Sequence, residues 1–336
     1  MFTTNDEKIN GLLFVIILPF LLYFMSYYGF ESSYTRLKTS ERPPEFLFNS
    51  VYAYRVIPNY ISVKMTGFME YFIQYKIPFL KNFLSKNGTP FYHGLFLVNS
   101  FFFILCSLIL NKIFTLNPSE FIIDIKVRRI VHLLSVFFIV ITQYAPTNCD
   151  TIALFCYLSG VYLTLRYYLT QKMRFYLYLV ILIAVSTFVR ETACLNIAFF
   201  TALFFNWNKL KQLQFRSIFA VIPLIIAFIV PYLGLRQIVV NSEVTFVEGF
   251  YINRNFTSPF NLAGLVFVCI VIYFIYKFCT EDVNKELIKK YLFFSLPYLF
   301  MITIVGLFWE IRLFLPIILT FLIIAFYQFK TLKYKS

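Results

Sequence analysis

The sequence predicts an all-α, polytopic membrane protein of about ten transmembrane helices. Three observations lead there. Of 336 residues, 60% are hydrophobic and only 14% are charged. The mean hydropathy is +0.74. The apolar residues also fall into runs of near-span length, separated by short basic stretches. A soluble domain is nearer about half apolar and about a quarter charged, so a soluble enzyme, a disordered chain and a disulfide-stapled secreted domain are excluded. The net charge of +14 does not point to nucleic acid. Cytoplasmic loops of membrane proteins collect Lys and Arg, and no nucleic-acid-binding motif occurs.

The runs follow in order. Residues 11–29 form the first, preceded by a short polar head and read as a retained helix, because no small-x-small cleavage site follows it. The next are 94–113, 130–144, 151–168, 175–189, 192–207, 217–239, 262–278, 291–309 and 313–329. With both termini inside, the inner segments hold clusters such as Lys126, Arg128 and Arg129, then Lys209, Lys211 and Arg216, then Lys285, Lys289 and Lys290. The short outer loops hold only Arg190, Arg236, Arg254 and Arg312 among the basic residues. That asymmetry predicts both ends inside. The stretch 175–207 as one helix would reach about 50 Å, well beyond the roughly 30 Å hydrocarbon core, so the chain is expected to turn at Arg190-Glu191.

The whole chain, 1–336, reads as a single transmembrane domain. Its only long outer segment is 30–91. There Ile61, Met65, Phe68, Met69, Phe72 and Ile73 share one helical stripe, with Thr66, Glu70 and Gln74 facing away. This predicts an amphipathic helix lying in the membrane interface. An additional packed helix or a short re-entrant pair fits the same periodicity. On the inner side, Asn117-Pro118-Ser119-Glu120 has the capping and first-turn residues of a helix start, so an inner helix is expected within 113–129. The six Cys are scattered, and His93 and His132 are the only histidines, so neither a zinc site nor a haem motif is present. Cys149 and Cys194 lie near outer helix ends, where a disulfide is conceivable. The sequons at Asn87 and Asn255 also fall on the outer side.

The outer boundary is where this chain keeps its chemistry. The predicted topology places Glu31, Tyr54 and Arg55, then Asn148 and Asp150, then Arg190 and Glu191, then Arg236, and finally Glu310 and Arg312 at that face. Their turns are short and their neighbours apolar, as in Phe188-Val189-Arg190-Glu191 and Trp309-Glu310-Ile311-Arg312. An ionisable group at such depth costs several kcal/mol when unpaired. Any one of them could be a helix-end side chain reaching back to the interface. As a set, drawn from separate turns, they suit a lipid-phosphate-linked sugar. Arginine binds phosphate through a planar fork, and a carboxylate accepts a proton from an acceptor hydroxyl.

The order Tyr54-Arg55-Val56-Ile57-Pro58, Asn148-Cys149-Asp150, Arg190-Glu191-Thr192 and Glu310-Ile311-Arg312-Leu313-Phe314-Leu315-Pro316 spans most of the chain. With it, the chain resembles a small member of the GT-C superfamily of integral-membrane glycosyltransferases. The resemblance implies a catalytic acid on the first outer loop, at the place of Glu31, with a juxtamembrane helix matching 61–74. It implies Glu31 as general base; by their own place at outward helix ends Asp150 is the second candidate and Glu310 a third. Tyr54, Arg55, Asn148, Arg190, Glu191, Glu310 and Arg312 would then bind the substrate. The family's second loop acid, which would help hold a divalent cation, is absent, so no metal ligand is assigned and the cofactor stays open. The implied reaction moves a sugar or glycan from a polyprenyl-phosphate-linked donor to an acceptor outside a bacterial inner membrane, alongside partners that assemble envelope polysaccharide. An O-antigen-type polymerase is a close variant. A transporter or flippase of lipid-linked sugars would instead carry ionisable residues at mid-span. A non-enzymatic assembly subunit would splay its charges outward.

Overall fold

The computed structural model describes residues 9, 11–29, 43–49, 52–143, 147–205, 216–239 and 250–329, with the backbone alone for 216–218. Among these residues every regular element is helical, and one isolated bridge joins Pro118 to Tyr327. The helices are α1 (Leu13–Gly29), α2 (Val56–Tyr71), α3 (Lys81–Asn87), α4 (Pro90–Leu116), α5 (Ile125–Thr142), α6 (Asp150–Thr170) and α7 (Met173–Thr187). They continue with α8 (Cys194–Phe204), α9 (Arg216–Ile238), α10 (Ile252–Thr257), α11 (Pro259–Phe278), α12 (Asp282–Phe294), α13 (Leu296–Val305) and α14 (Leu315–Phe326). Each predicted apolar run overlaps a helix, and the ninth lies across two, α12 and α13. By length and composition four described helices can cross a membrane, namely α4, α6, α9 and α11, or five if the bent pair α12–α13 counts as one span. The other apolar helices are shorter.

The core forms around α6, which packs against α4, α7 and α8. Its centre is aromatic: Tyr157, Phe199, Tyr291 and Phe321 are each at most 1% exposed. The Tyr157 hydroxyl is hydrogen-bonded to those of Tyr291 and Thr320, so no phenol there is left dry. Gly160 lets α8 approach, because a Cβ on it would lie 2.4 Å from the Asn196 side chain. Small residues serve this purpose where helices cross in an apolar medium. The helices α9 and α11 form the periphery, with 17% and 22% of their apolar windows buried. Their outward Phe and Ile side chains are what a helix presents to lipid rather than to water.

The structure corrects three local expectations. The helix expected at 61–74 starts earlier, at Val56, and packs its small polar face on α4. Asn59, Ser62 and Thr66 are buried with Met69, whereas Phe68 is exposed. Ile73 is buried and Ile61 and Met65 are partly buried, so the stripe is inward except at Phe68, and Thr66 is the polar residue that joins it. Its hydroxyl and that of Ser62 are satisfied within the helix, donating to Ser62 O and Pro58 O, both at 2.8 Å. These side chains are not orphaned, and α4 approaches so closely that a Cβ on Gly94 would lie 3.3 Å from the Met65–Thr66 backbone. The helix expected from Asn117 instead begins at Ile125, capped by Asp124, whose carboxylate accepts from the Lys126 N–H at 2.8 Å. Asn117 is taken by the strand-like bridge, where its carbonyl accepts from the Gln328 N–H at 3.0 Å. The ninth run is not one helix: it takes in the last turn of the amphipathic α12 and all of α13, which bend by 49° across the break at Ser295. The turn expected at Arg190 is present, between α7 and α8. Cys149 and Cys194 both carry free thiols. The Asn255 sequon is closed, because its side chain is buried and donates to Thr303 O and Gly306 O at 3.1 and 2.8 Å.

Candidate functional site

At one end of the bundle, the helix ends that carry the charges expected at the outer boundary meet. Asp150 is the first residue of α6. The chain entering it turns so that the Thr147 N–H donates to Asp150 Oδ2 at 2.7 Å. Arg190 sits on extended backbone just after α7, tied back by its N–H to Ser186 O at 2.9 Å. Arg312 lies on the single tight turn Ile311–Leu313 before α14. Both arginines reach Asp150. Arg190 Nη1 donates to Oδ1 in a short, direct ion pair, and Arg312 Nη1 donates to Oδ2 at 3.1 Å. The Asp150 side chain is 1% exposed. A carboxylate buried to that degree needs such partners to remain charged. Arg312 also holds Glu310, through Nη2 at 3.0 Å and Nε at 3.3 Å.

A second wall faces this cluster. The Ile57 N–H reaches Phe188 O at 3.4 Å, which brings the start of α2 beside the turn that carries Arg190. Arg55 is thereby placed with its guanidinium 4.5 Å over the Tyr52 ring and Nη1 3.2 Å from Cys149 Sγ. Arg236, in the last turn of α9, stacks 3.6 Å over Tyr232 and 4.9 Å from the Tyr54 ring, and lies 3.9 Å from Glu191. Both stackings are cation–π contacts that hold an arginine without neutralising it. Burial works against the charge of Arg190, but Asp150 outweighs it and lifts its pKa above the usual arginine range. Arg312 is governed in the same way by burial against Asp150 and Glu310. Burial pushes the Tyr52 phenol up, so it stays protonated and able to donate.

These groups line one cavity of about 290 Å³. Arg55, Arg190, Arg236 and Arg312 contribute four positive charges to its wall, against three negative ones from Asp150, Glu191 and Glu310. Of the residues the sequence singled out, Tyr54, Arg55, Asp150, Arg190, Glu191, Glu310 and Arg312 all converge here. Asn148 does not. It sits behind the wall and donates to Asn59 Oδ1 at 2.7 Å, while Asn59 donates to Tyr52 O at 3.0 Å. Its place is that of a tether between α2 and the start of α6. Glu31 lies outside the described residues. The sequence reading overlooked Tyr52, Tyr232 and Tyr298 as lining residues and gave Arg236 no binding role. A signal existed for two of these, since Tyr232 and Arg236 are spaced i, i+4 and share a helix face.

Among the described residues, no three His, Cys, Asp or Glu side chains gather to hold a metal ion. No protein-family model matches the chain, and neither a curated protein nor a solved structure is significantly similar to it.

Proposed function

We propose that the chain is an integral-membrane glycosyltransferase of the GT-C kind. It moves a sugar or glycan from a polyprenyl-phosphate-linked donor to an acceptor hydroxyl on the outer side of the membrane. In this reading the ten apolar runs are ten spans with both ends inside, and the membrane is a bacterial inner membrane. The segment α2–α3 is the juxtamembrane unit, and partners in envelope-glycan assembly supply the acceptor. The observation that carries the reading is the convergence of four arginines and three carboxylates on one cavity at a single end of the bundle.

The chemistry asks for such a set. The acceptor oxygen attacks the anomeric carbon, the bond from that carbon to the phosphate oxygen breaks, and the phosphate leaves with its lipid. Arginine forks hold the leaving phosphate as its charge grows. The proton of the acceptor hydroxyl passes to a carboxylate. Glu31 is our first choice for that base. Asp150 accepts three hydrogen bonds from Thr147, Arg190 and Arg312, which leaves little of its lone-pair capacity for a substrate. We assign it the positioning of the two arginines. A polymerase would use the same groups with a growing glycan as donor. The bent pair α12–α13 is what a transporter reading would use, but no Asp, Glu, Lys, Arg or His lies within three residues of Ser295 in the chain.

The test is transfer by the reconstituted protein from a polyprenyl-phosphate-linked sugar. Glu31→Gln should insert normally and lose about 10²-fold or more of the rate. Near-normal transfer by Glu31→Gln, Asp150→Asn and Glu310→Gln alike would remove the carboxylate-base mechanism.

A further inference from the structure

Beside the polar cavity runs an apolar groove that the site itself does not use. Helices α5 and α11 both pack on α14 and leave a channel between them. Two adjoining hollows fill it. The upper, about 380 Å³, is lined by Phe138, Ile141, Phe267, Trp309 and Ile311. The lower, about 500 Å³, begins at the same Phe138 and continues past Val131, Leu134, Val271, Phe274 and Ile318. On α5 the lining residues recur at helical spacing from Val127 to Thr142, a stripe of about 22 Å at 1.5 Å per residue. That is most of the thickness of a bilayer's hydrocarbon core, roughly 30 Å. Leu134 and Phe274 remain more than half exposed on its rim, so the groove opens sideways rather than to an end.

The groove has a charged head. Thr147, Glu310 and Arg312 line both the upper hollow and the arginine cavity, so the two spaces meet at this triplet. The two carboxylates on Arg312 differ in how firmly they are held. Asp150 is almost fully buried and is pinned from three directions. The Glu310 side chain is 23% exposed, stands on the rim, and uses one oxygen on Arg312. It occupies a place on the guanidinium fork that a phosphate would take. The geometry points to lateral entry of a phosphate-bearing lipid between α5 and α11, its hydrocarbon chain in the groove and its phosphate displacing Glu310 from Arg312. Glu310 is then a stand-in anion that keeps Arg312 oriented until a lipid arrives. The transfer reaction rests on the proposed function, but this binding step does not require it.

The chain has two tryptophans, and one of them, Trp309, lines the groove. Trp207→Phe leaves Trp309 as the reporter. In nanodiscs of brominated-chain phosphatidylcholine its fluorescence should be quenched. A long-chain polyprenyl monophosphate should restore the fluorescence by displacing the brominated chains, and the uncharged polyprenol should do so far less. Glu310→Gln keeps the shape and removes the competing charge, so the monophosphate should bind roughly three- to tenfold more tightly. Val271→Phe fills the lower hollow and should weaken binding by about tenfold, on the scale of a clash with one large side chain. Equal recovery with monophosphate and polyprenol would overturn phosphate recognition. Unchanged or weaker binding by Glu310→Gln would overturn the displacement, and unchanged binding by Val271→Phe would remove the chain from the groove. Binding without any transfer would retire the glycosyltransferase reading and leave this one standing. Transfer that persists at full rate in Val271→Phe would do the reverse.

Discussion

Asp150 is the residue on which the site turns. It is a nearly inaccessible carboxylate that accepts from a backbone N–H and two guanidinium groups. Removing its charge leaves Arg190 and Arg312 without their shared counter-ion. Breaking one side of a buried pair costs about 3–5 kcal/mol. Asp150→Asn should therefore lower the thermal midpoint of the detergent-solubilised protein by several degrees. Asp150→Asn combined with Arg190→Gln should cost less than the sum of the two single changes, because each single change leaves an unpaired charge. Strict additivity in that cycle would mean that the pair is not coupled. Arg190→Lys tests geometry with the charge kept. Lysine is a point charge without a fork, so it should preserve folding far better than Arg190→Gln and still fail to support transfer. Full transfer by Arg190→Lys would remove Arg190 from phosphate binding. These residues were legible as a set, because charges in apolar turns are costly and therefore conspicuous. Asn148 was the exception. Its buried bond to Asn59 is a structural contact between residues 89 positions apart, which no local pattern reveals.

At the scale of elements, the site depends on how closely α11 approaches the turn before α14. A Cβ on Gly264 would lie 2.4 Å from Phe308 O and 2.7 Å from Trp309 Cα. Both are backbone atoms and cannot swing aside. Gly264→Ala should thus push α11 from this turn, with an overpacking cost of about 1–3 kcal/mol. It should also disturb Glu310 and Arg312, which follow directly. Gly234 of α9 is the control, since a Cβ there meets nothing within 4 Å. Gly234→Ala should be neutral or stabilising by up to about 1 kcal/mol, because alanine loses less backbone freedom in a helix. If the two variants melt alike, the close approach at Gly264 is not a structural constraint. The helices themselves were legible because each apolar run is bounded by caps, prolines or charges. Their faces were less so. In α2 the stripe suggested a helix lying in the interface, and the packed face also takes in the small residues Asn59, Ser62 and Thr66 beside Met69 and Ile73.

For the whole molecule, the distribution of Lys and Arg is the observable that bears on orientation. The inner assignment of the clusters at 126–129, 209–216 and 285–290 predicts that reporter fusions after Lys211, Lys290 and the C-terminus read cytoplasm. A fusion within 243–255 should read the outer side. An outward C-terminus would separate the arginine cavity from the face where a lipid-linked donor is presented, and would end the proposed topology. The peripheral helices α9 and α11 complete the picture, because their exposed apolar faces have no covering element among the described residues.

Composition and the spacing of apolar runs were enough by themselves to determine an all-helical, membrane-type chain, the place of the break at Arg190, and which charged residues are costly. These properties are local: a run of apolar residues forms a helix, and a charge beside it must find a partner wherever the chain goes. Which partner it finds was decided only in three dimensions. Arg190 meets Asp150 across 40 residues, Arg55 meets Cys149 across 94, and Arg312 meets Asp150 across 162. The apolar groove that opens beside them is likewise built from α5, α11 and α14, none of which is distinctive alone. Pairings at such separations depend on how helix ends are packed, and helix packing follows side-chain shape and small-residue contacts rather than periodicity.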